Sequence, residues 1–310
     1  MSEIGRAAVI GTGTMGPGMG AVLERAGIEV ALYDVSEERL EAARGGLDLA
    51  RGVLDRLGGD STEGGDVRFE NDLPAALEGA EFVLEAIPEK LELKQEVFAE
   101  FERHVADDAV LSSNTSGIPI SKIAAELQHP ERVIGMHWSN PPHLIPMIEV
   151  IPGEQTSEQA IESATALIAR IGYHASMLKK EVPGFVENRV LYAIMRECLA
   201  LVDEGVIDAE ELDLNVKWGI GYKLAVIPPM QLLDVAGLDI YESVAGYLNS
   251  ELSTEPGVSE TITRLTGEGK LGIKAGGGLF DYTPEQLAEL PKKRAAALVA
   301  VRKTLDDQDV

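Results

Sequence analysis

Short apolar runs alternate with amphipathic helical stretches along the first 180 residues of the chain. The apolar runs have the length of buried strands, and they predict strands at 7–10, 28–33, 67–69, 82–87, 110–111, 133–137 and 147–151. Apolar positions three or four residues apart predict the intervening helices at 16–26, 36–57, 73–77, 89–104 and 158–171. Strands that alternate with helices predict an α/β fold with a mostly parallel sheet covered on both faces.

The pattern changes after about residue 183, where only helices are predicted, at 184–205, 208–218, 228–250 and 257–267. We therefore expect two domains, an α/β domain over 1–184 and a smaller all-α domain over 185–310. The long helix that opens the second domain is apolar around much of its circumference. Such a helix is central in its own domain or packs against a second subunit.

A glycine-rich turn joins the first predicted strand to the first helix. Gly11 permits a tight turn, Gly13 lets a pyrophosphate approach the backbone, and Gly16 lets the helix pack closely. Asp34 ends the second strand, where a carboxylate can bond the ribose hydroxyls of NAD and repel the 2′-phosphate of NADP. A turn without a ligand is the alternative, but the order strand, turn, helix, strand, acid favours a doubly wound Rossmann-type domain that binds NAD. The turn reads Gly11-Thr12-Gly13-Thr14-Met15-Gly16.

The chain is strongly acidic, with 52 Asp and Glu against 27 Lys and Arg in 310 residues, and a formal charge of −25. This charge argues against nucleic acid and against anionic membranes as partners. Its only cysteine, Cys198, cannot form an intramolecular disulfide, which is typical of a reducing, cytoplasmic location. Neither a signal peptide nor an apolar stretch of about 20 residues that could span a bilayer is expected.

A predicted strand runs directly into His137 and then into a proline-rich turn, and Glu149 follows on the next strand. Each residue could have a purely structural role. A histidine near neutral pKa suits a general base for hydride transfer, and a carboxylate behind it would fix its tautomer. An unpaired carboxylate among apolar neighbours would be costly if buried, which favours the paired interpretation. No metal site is expected.

These motifs resemble the 3-hydroxyacyl-CoA dehydrogenase superfamily, and the resemblance covers nearly the whole chain. Besides the glycine turn and the His137 segment, it rests on these further motifs: Ser113-Asn114-Thr115-Ser116, Pro183-Gly184-Phe185-Val186-Glu187-Asn188-Arg189, Gly237-Leu238-Asp239, Gly272-Ile273-Lys274 and Gly278-Leu279-Phe280-Asp281-Tyr282.

The resemblance implies a role for each matching residue. His137 would be the general base, oriented by Glu149, and Ser116 and Asn188 would position the substrate oxygen. It also implies a homodimer formed through the helical domain. The residues implied at the cofactor, besides the glycine turn and Asp34, are Pro88, Glu89, Lys94, Asn114, Asn140 and, from the second domain, Lys274.

The substrate is where the chain departs from acyl-CoA members of the family. Residues 1–89 contain no lysine, although acyl-CoA members usually carry phosphate-binding lysines in the stretch that matches 36–66. Arginines such as Arg51 or Arg56 could substitute for them. The segment 137–150 resembles that of relatives that do not act on CoA thioesters. For a small aromatic carboxylate we expect His143 or Lys223 to bind the carboxylate and Trp138 to lie against the ring.

The leading interpretation is an NAD-dependent dehydrogenase of a small hydroxy or formyl carboxylic acid. One alternative keeps the reaction and makes L-3-hydroxyacyl-CoA, such as 3-hydroxybutyryl-CoA, the substrate. A second alternative is a non-catalytic NAD-binding structural protein, but His137 and Glu149 are both present.

Overall fold

A computed structural model describes residues 4–58 and 65–307 of the chain. The chain forms two compact units, Met1–Arg189 and Val190–Val310. Residues 59–64, near the end of the segment 36–66, lie outside the described residues.

The first unit is built on one eight-stranded sheet with the order β3-β2-β1-β4-β5-β6-β7-β8. All neighbouring strands are parallel except β6 and β7, which are antiparallel. The strands are β1 Arg6–Ile10, β2 Glu29–Tyr33, β3 Val67–Glu70, β4 Phe82–Glu85, β5 Val110–Ser113, β6 Val133–Trp138, β7 Met147–Pro152 and β8 His174–Met177.

Helices cover both faces of this sheet. Successive residues of a strand point to opposite faces, so they pack into different apolar clusters. Val9 belongs to one buried apolar cluster, together with Met19, while the next residue of the strand, Ile10, belongs to another, together with Phe98. The α/β doubly wound fold is therefore confirmed. The helices of this unit are α1 Gly16–Arg25, α2 Glu37–Leu57, α3 Leu73–Leu77, α4 Leu91–His104, α5 Ile120–Ile123 and α6 Glu158–Arg170, with a 3₁₀ turn at Pro130–Arg132.

Local sequence signals explain where several of these elements begin. The Ser36 hydroxyl accepts a hydrogen bond from the Arg39 amide at 3.3 Å and so caps the N-terminus of α2. Ser157 caps α6 in the same way. β8 was not predicted. Three of its four residues are exposed, so it lacks the apolar run that marks a buried strand.

The second unit is all-α, as predicted. Its described residues contain no strand, only two isolated bridges, from Gly277 to Gly272 and to Asp281. Gly237, at φ +98°, divides the predicted helix 228–250 into two. The C-terminal helix was not predicted. The helices are α7 Glu187–Asp203, which begins in the first unit, then α8 Ala209–Asn215, a π-helix Val216–Gly221, α9 Tyr222–Leu224, α10 Pro229–Ala236, α11 Leu238–Leu248, α12 Glu260–Gly267, a 3₁₀ turn Ile273–Ala275 and α13 Pro284–Asp306.

None of the helices within residues 4–58 and 65–307 combines the length and the apolar composition needed to cross a bilayer.

Candidate active site

The glycine turn has the shape that a dinucleotide requires. Gly11 has φ +108°, and a Cβ there would lie 2.6 Å from the Ala86 carbonyl oxygen. A Cβ on Gly16 would lie 2.2 Å from the Gly11 carbonyl oxygen. A Cβ on Gly13, in contrast, would meet nothing within 4 Å. The first and third glycines therefore allow close packing, and the second leaves the backbone open to a pyrophosphate at the N-terminus of α1. Thr14 and Met15 complete this turn.

Asp34 is buried at the end of β2, where it holds the glycine turn in place. One carboxylate oxygen accepts hydrogen bonds from the amide and the hydroxyl of Thr12, each at 3.0 Å, and the other accepts from the Ser36 amide at 3.2 Å. The part played by Thr12 was not predicted, because the motif specifies only its glycine neighbours. The residues present fit NAD through this turn and this acid.

His137 and Glu149 face each other across the antiparallel pair of β6 and β7. The His137 Nδ1 lies 2.8 Å from Glu149 Oε2, and both side chains are buried. The other Glu149 oxygen accepts hydrogen bonds from the amides of Val186 and Glu187, at 2.8 and 3.0 Å. No described residue hydrogen-bonds Nε2 of His137. The two residues therefore form a dyad with one free ring nitrogen.

Burial alone would raise the pKa of Glu149. The hydrogen bonds from His137 and from the amides of Glu187 and Val186 outweigh this effect and hold the pKa below its ordinary value. Glu149 therefore stays ionised at neutral pH. An ionised carboxylate at Nδ1 favours the tautomer that carries its proton there and leaves Nε2 as an acceptor.

A turn before α7 delivers those two amides. Phe185, a non-glycine residue, has φ +48°, and Gly184 before it has φ +75°. The Phe185 ring is fully buried, with its centroid 5.7 Å from that of His137. Packing against the ring fixes a backbone conformation that costs about 1–3 kcal/mol in a non-glycine residue, and the turn then aims successive amides at Glu149.

Ser116 and Asn188 lie together, although they are distant in sequence. The Asn188 side-chain amide donates a hydrogen bond to the Ser116 carbonyl oxygen at 3.3 Å. The Ser116 amide donates in turn to Glu89 at 3.0 Å, and the Thr115 hydroxyl donates to the same Glu89 oxygen at 2.5 Å. Glu89 thus connects the loop after β4 to the loop after β5 at the carboxyl edge of the sheet.

Lys94 is buried between two carboxylates. Its Nζ lies 2.6 Å from Glu85 Oε1 and 3.4 Å from Glu89, and only 1% of its side chain is exposed. Glu85 also accepts hydrogen bonds from the Ser113 hydroxyl and the Ile87 amide. Burial raises the pKa of Glu85, and Lys94 opposes this effect. Lys94 thus holds Glu85 and Glu89, and its place beside the cofactor stays a prediction.

The other predicted cofactor residues of the first unit lie in the loops at the carboxyl edge of the sheet. Asn114 follows β5, and its Oδ1 accepts a hydrogen bond from the Trp138 amide at 2.8 Å, next to His137. Pro88 and Asn140 are exposed in the loops after β4 and β6. Lys274 lies in the 3₁₀ turn Ile273–Ala275 of the second unit.

Trp138 and His143 do not have the predicted substrate roles. Trp138 is 1% exposed and packs in the core with its ring centroid 5.8 Å from that of Tyr173, so it offers no face for stacking. His143 packs against Gly18 of α1, with its Nδ1 buried and lacking a hydrogen-bond partner. Burial lowers the pKa of His143, which disfavours the cation predicted to bind a carboxylate. Lys223 lies in α9 of the second unit.

Glu187 is a residue at the dyad for which no role was predicted. Glu187, His137 and Glu149 each place one ligand-type atom so that these atoms lie within 4.8 Å of one another. Such donors also occur in metal sites, but here His137 Nδ1 and Glu149 Oε2 bond each other. Ser139 donates a hydrogen bond to Glu187 Oε2. The only sequence signal for Glu187 was its place in the motif that also contains Asn188.

Comparisons with known proteins agree with this geometry. Residues 6–182 match the NAD-binding domain of 3-hydroxyacyl-CoA dehydrogenase, and residues 184–282 match its C-terminal domain. The chain is 51% identical over 304 residues to 5-formyl-3-hydroxy-2-methylpyridine 4-carboxylate 5-dehydrogenase of Mesorhizobium japonicum, covering 97% of this chain and 98% of that enzyme. It is 36% identical to a probable 3-hydroxybutyryl-CoA dehydrogenase of Bacillus subtilis, covering 90% of this chain and 98% of that protein.

A solved structure of such a 5-dehydrogenase, described as an NAD+-dependent dismutase, superposes with a TM-score of 0.95 at 51% identity. The superposition covers 98% of this chain and 99% of that one. The resemblance noted in the sequence motifs is thereby confirmed over both domains. The chain belongs to the 3-hydroxyacyl-CoA dehydrogenase family and is an NAD-dependent dehydrogenase.

Proposed function

We propose that the substrate is a small carboxylic acid that carries a formyl or hydroxyl group, of the formyl-pyridine carboxylate class. The observation that carries this proposal is the 51% identity over nearly the full length to an enzyme named for such a substrate, against 36% to the 3-hydroxybutyryl-CoA enzyme. The absence of lysine from residues 1–89 supports the same choice, because coenzyme A carries several phosphate charges.

His137 acts as the general base in this proposal. Its Nδ1 is held by Glu149 at 2.8 Å, so the ring has a fixed orientation and Nε2 can take a proton from the substrate. Glu149 stabilises the imidazolium that results. Ser116 and Asn188 position the substrate oxygen. NAD, when bound, accepts the hydride.

The proposed cofactor-binding residues of the first unit lie at the carboxyl edge of the sheet. The glycine turn and Asp34 hold the pyrophosphate and the adenosine ribose, while Pro88, Glu89, Asn114 and Asn140 face the nicotinamide half. Lys274 is proposed to reach the cofactor from the helical domain, and Lys223 to bind the substrate carboxylate.

Lys223→Ala is expected to raise the substrate KM without changing that for NAD. Lys270→Ala, which removes another lysine of the helical domain, is the matched control, and equal KM values in all three proteins would remove Lys223 from the site.

A substrate panel tests the proposal directly. Initial rates are measured by NADH absorbance with free hydroxy and formyl acids and NAD, and with acetoacetyl-CoA and NADH. We expect the highest kcat/KM with a formyl-pyridine carboxylate. A micromolar KM and a faster rate with acetoacetyl-CoA would instead make the protein a 3-hydroxyacyl-CoA dehydrogenase. No turnover with any of these compounds would favour a non-catalytic NAD-binding protein.

We also propose a cytoplasmic homodimer with a domain boundary at residues 184 and 185. In α7 the apolar side chains of Val190, Tyr192 and Met195 are about half exposed or more in the single chain, which supports a role for this helix in subunit contact. Sedimentation equilibrium gives the mass. A value near 33.2 kDa at micromolar concentration would exclude the dimer.

A further inference from the structure

Glu187 is fixed beside the dyad at two points. Its amide donates to Glu149 Oε1 at 3.0 Å, and its Oε2 accepts a hydrogen bond from the buried Ser139 hydroxyl. It lies in the first turn of α7. One of its oxygens is within 4.8 Å of a His137 ring nitrogen.

The dyad itself has only one atom that can accept a proton. His137 Nδ1 is committed to Glu149, and the second Glu149 oxygen is committed to two amides, which leaves Nε2. Oxidation of a formyl group to a carboxylate consumes one water and releases two protons besides the hydride. A second base at the site could take the first of these protons as water adds.

We infer that Glu187 is this second catalytic base, which takes a proton from the water adding to the formyl carbon. This inference rests on the proposed function, since a hydroxyl substrate needs no water. As the water oxygen bonds to carbon and the C=O π electrons move to oxygen, one water proton passes to Glu187. The formyl carbon is then oxidised as its C–H bond breaks, and the hydrogen with its electron pair reduces NAD+ to NADH. The second proton passes to His137, and the carboxylate leaves.

The opposite half-reaction makes no use of Glu187. Reduction of a formyl group to an alcohol adds one hydride and one proton, and protonated His137 supplies that proton. Loss of Glu187 should therefore slow acid formation and spare alcohol formation. Loss of His137 should slow both, because His137 handles a proton in each direction.

Single-turnover measurements on the full chain test this asymmetry. The probe is 5-formyl-3-hydroxy-2-methylpyridine 4-carboxylate, with acid formed in the presence of NAD+ and alcohol formed in the presence of NADH, both measured by chromatography. Glu187→Gln keeps an acceptor for Ser139 and removes the base. We expect acid formation to fall at least about a hundredfold, the usual scale of base catalysis, and alcohol formation to change less than about threefold.

Two controls separate chemistry from structure. Glu126→Gln removes one negative charge from an exposed position and should leave both half-reactions at the wild-type rate. A deuterium label on the formyl carbon gives a second readout. In Glu187→Gln the isotope effect on acid formation should fall towards one, because water addition becomes slower than hydride transfer. NADH affinity, measured by fluorescence titration, should not change.

The outcomes distinguish this inference from the proposed function. Equal losses in both half-reactions, or an undiminished isotope effect, would show that Glu187 only orients His137, and would overturn its role as a base. No loss in either half-reaction would overturn it as well. If the wild-type protein forms no acid from any formyl compound, the proposed substrate class fails, and the role of Glu187 fails with it because no water is added.

Discussion

Two buried glutamates of the same sheet differ in the basic side chain that each one bonds. Glu85, at the end of β4, bonds Lys94, Ser113 and the Ile87 amide. Glu149, in β7, bonds His137 and two amides. Lys94 is surrounded by acids and 1% exposed, whereas His137 retains a free Nε2. The same acid chemistry therefore serves to fix loops in one place and to prepare a base in the other.

The difference between the two sites lies in the basic side chain that bonds the glutamate, Lys94 in one and His137 in the other. The residue beside Glu85 is a lysine with 1% of its side chain exposed, so the pair is a fixed connection between strands and loops. The residue beside Glu149 is a histidine, a side chain that can take up and release a proton during turnover. Removing the lysine should therefore reduce stability, and removing the histidine should reduce catalysis.

Lys94→Met should produce the largest effect. It leaves Glu85 buried without its cation, and breaking such a pair costs about 3–5 kcal/mol in the free energy of unfolding. Urea denaturation measures the loss. The double variant Lys94→Met/Glu85→Gln removes the uncompensated charge and should recover a large part of it. A loss below about 1 kcal/mol in the single variant would mean that the pair behaves like a surface ion pair.

His137→Asn should show the reverse pattern. Without the base, kcat is expected to fall at least about a hundredfold, with little change in NADH affinity or in the free energy of unfolding. Steady-state kinetics, fluorescence titration and urea denaturation give the three quantities. Wild-type kcat in this variant would contradict the assignment of His137 as general base.

Asp34→Asn sharpens the comparison with a third buried carboxylate, one that bonds an amide and a hydroxyl of Thr12 instead of a cation. The amide side chain keeps an acceptor for Thr12 but removes the charge that holds the ribose and repels a 2′-phosphate. We expect roughly tenfold weaker NAD binding, as for the loss of one hydrogen bond to a charged group, and a smaller preference over NADP. Kd values for both cofactors test this, and an unchanged ratio would argue against the assignment.

The smallest effect concerns His143, a half-buried base whose Nδ1 is buried and has no hydrogen-bond partner. Because burial lowers its pKa in the folded protein, its contribution to stability is fully present above the unfolded pKa of about 6.5. It is lost as the pH falls below that value, at most about 1.4 kcal/mol per pH unit. His143→Phe should thus lose less Tm than wild type between pH 7.5 and 5.5, measured by calorimetry, and parallel Tm curves would contradict this.

Much of the fold followed from local sequence. All seven predicted strands are present, the glycine turn joins β1 to α1, and Ser36 caps α2. These features depend on a few consecutive residues whose backbone preferences and apolar spacing act locally. β8 could not be predicted because its residues are mostly exposed and carry no periodic signal.

The surroundings of each site residue depended on contacts between distant segments. The antiparallel register of β6 and β7 places His137 opposite Glu149, and the start of α7 brings Asn188 to Ser116, 72 residues away. The predicted stacking role of Trp138 failed for the same reason, since its burial depends on Tyr173 from another element.

The sequence by itself determined the α/β class, the NAD turn, the all-α second domain and the residue types of the dyad. Only the tertiary structure decided that Lys94 is enclosed by acids, that burial disfavours the cationic form of His143, and that Glu187 stands beside the dyad. The physical reason is that hydrogen-bond partners and burial are properties of a three-dimensional neighbourhood, whereas turns, caps and periodicity are written in neighbouring residues.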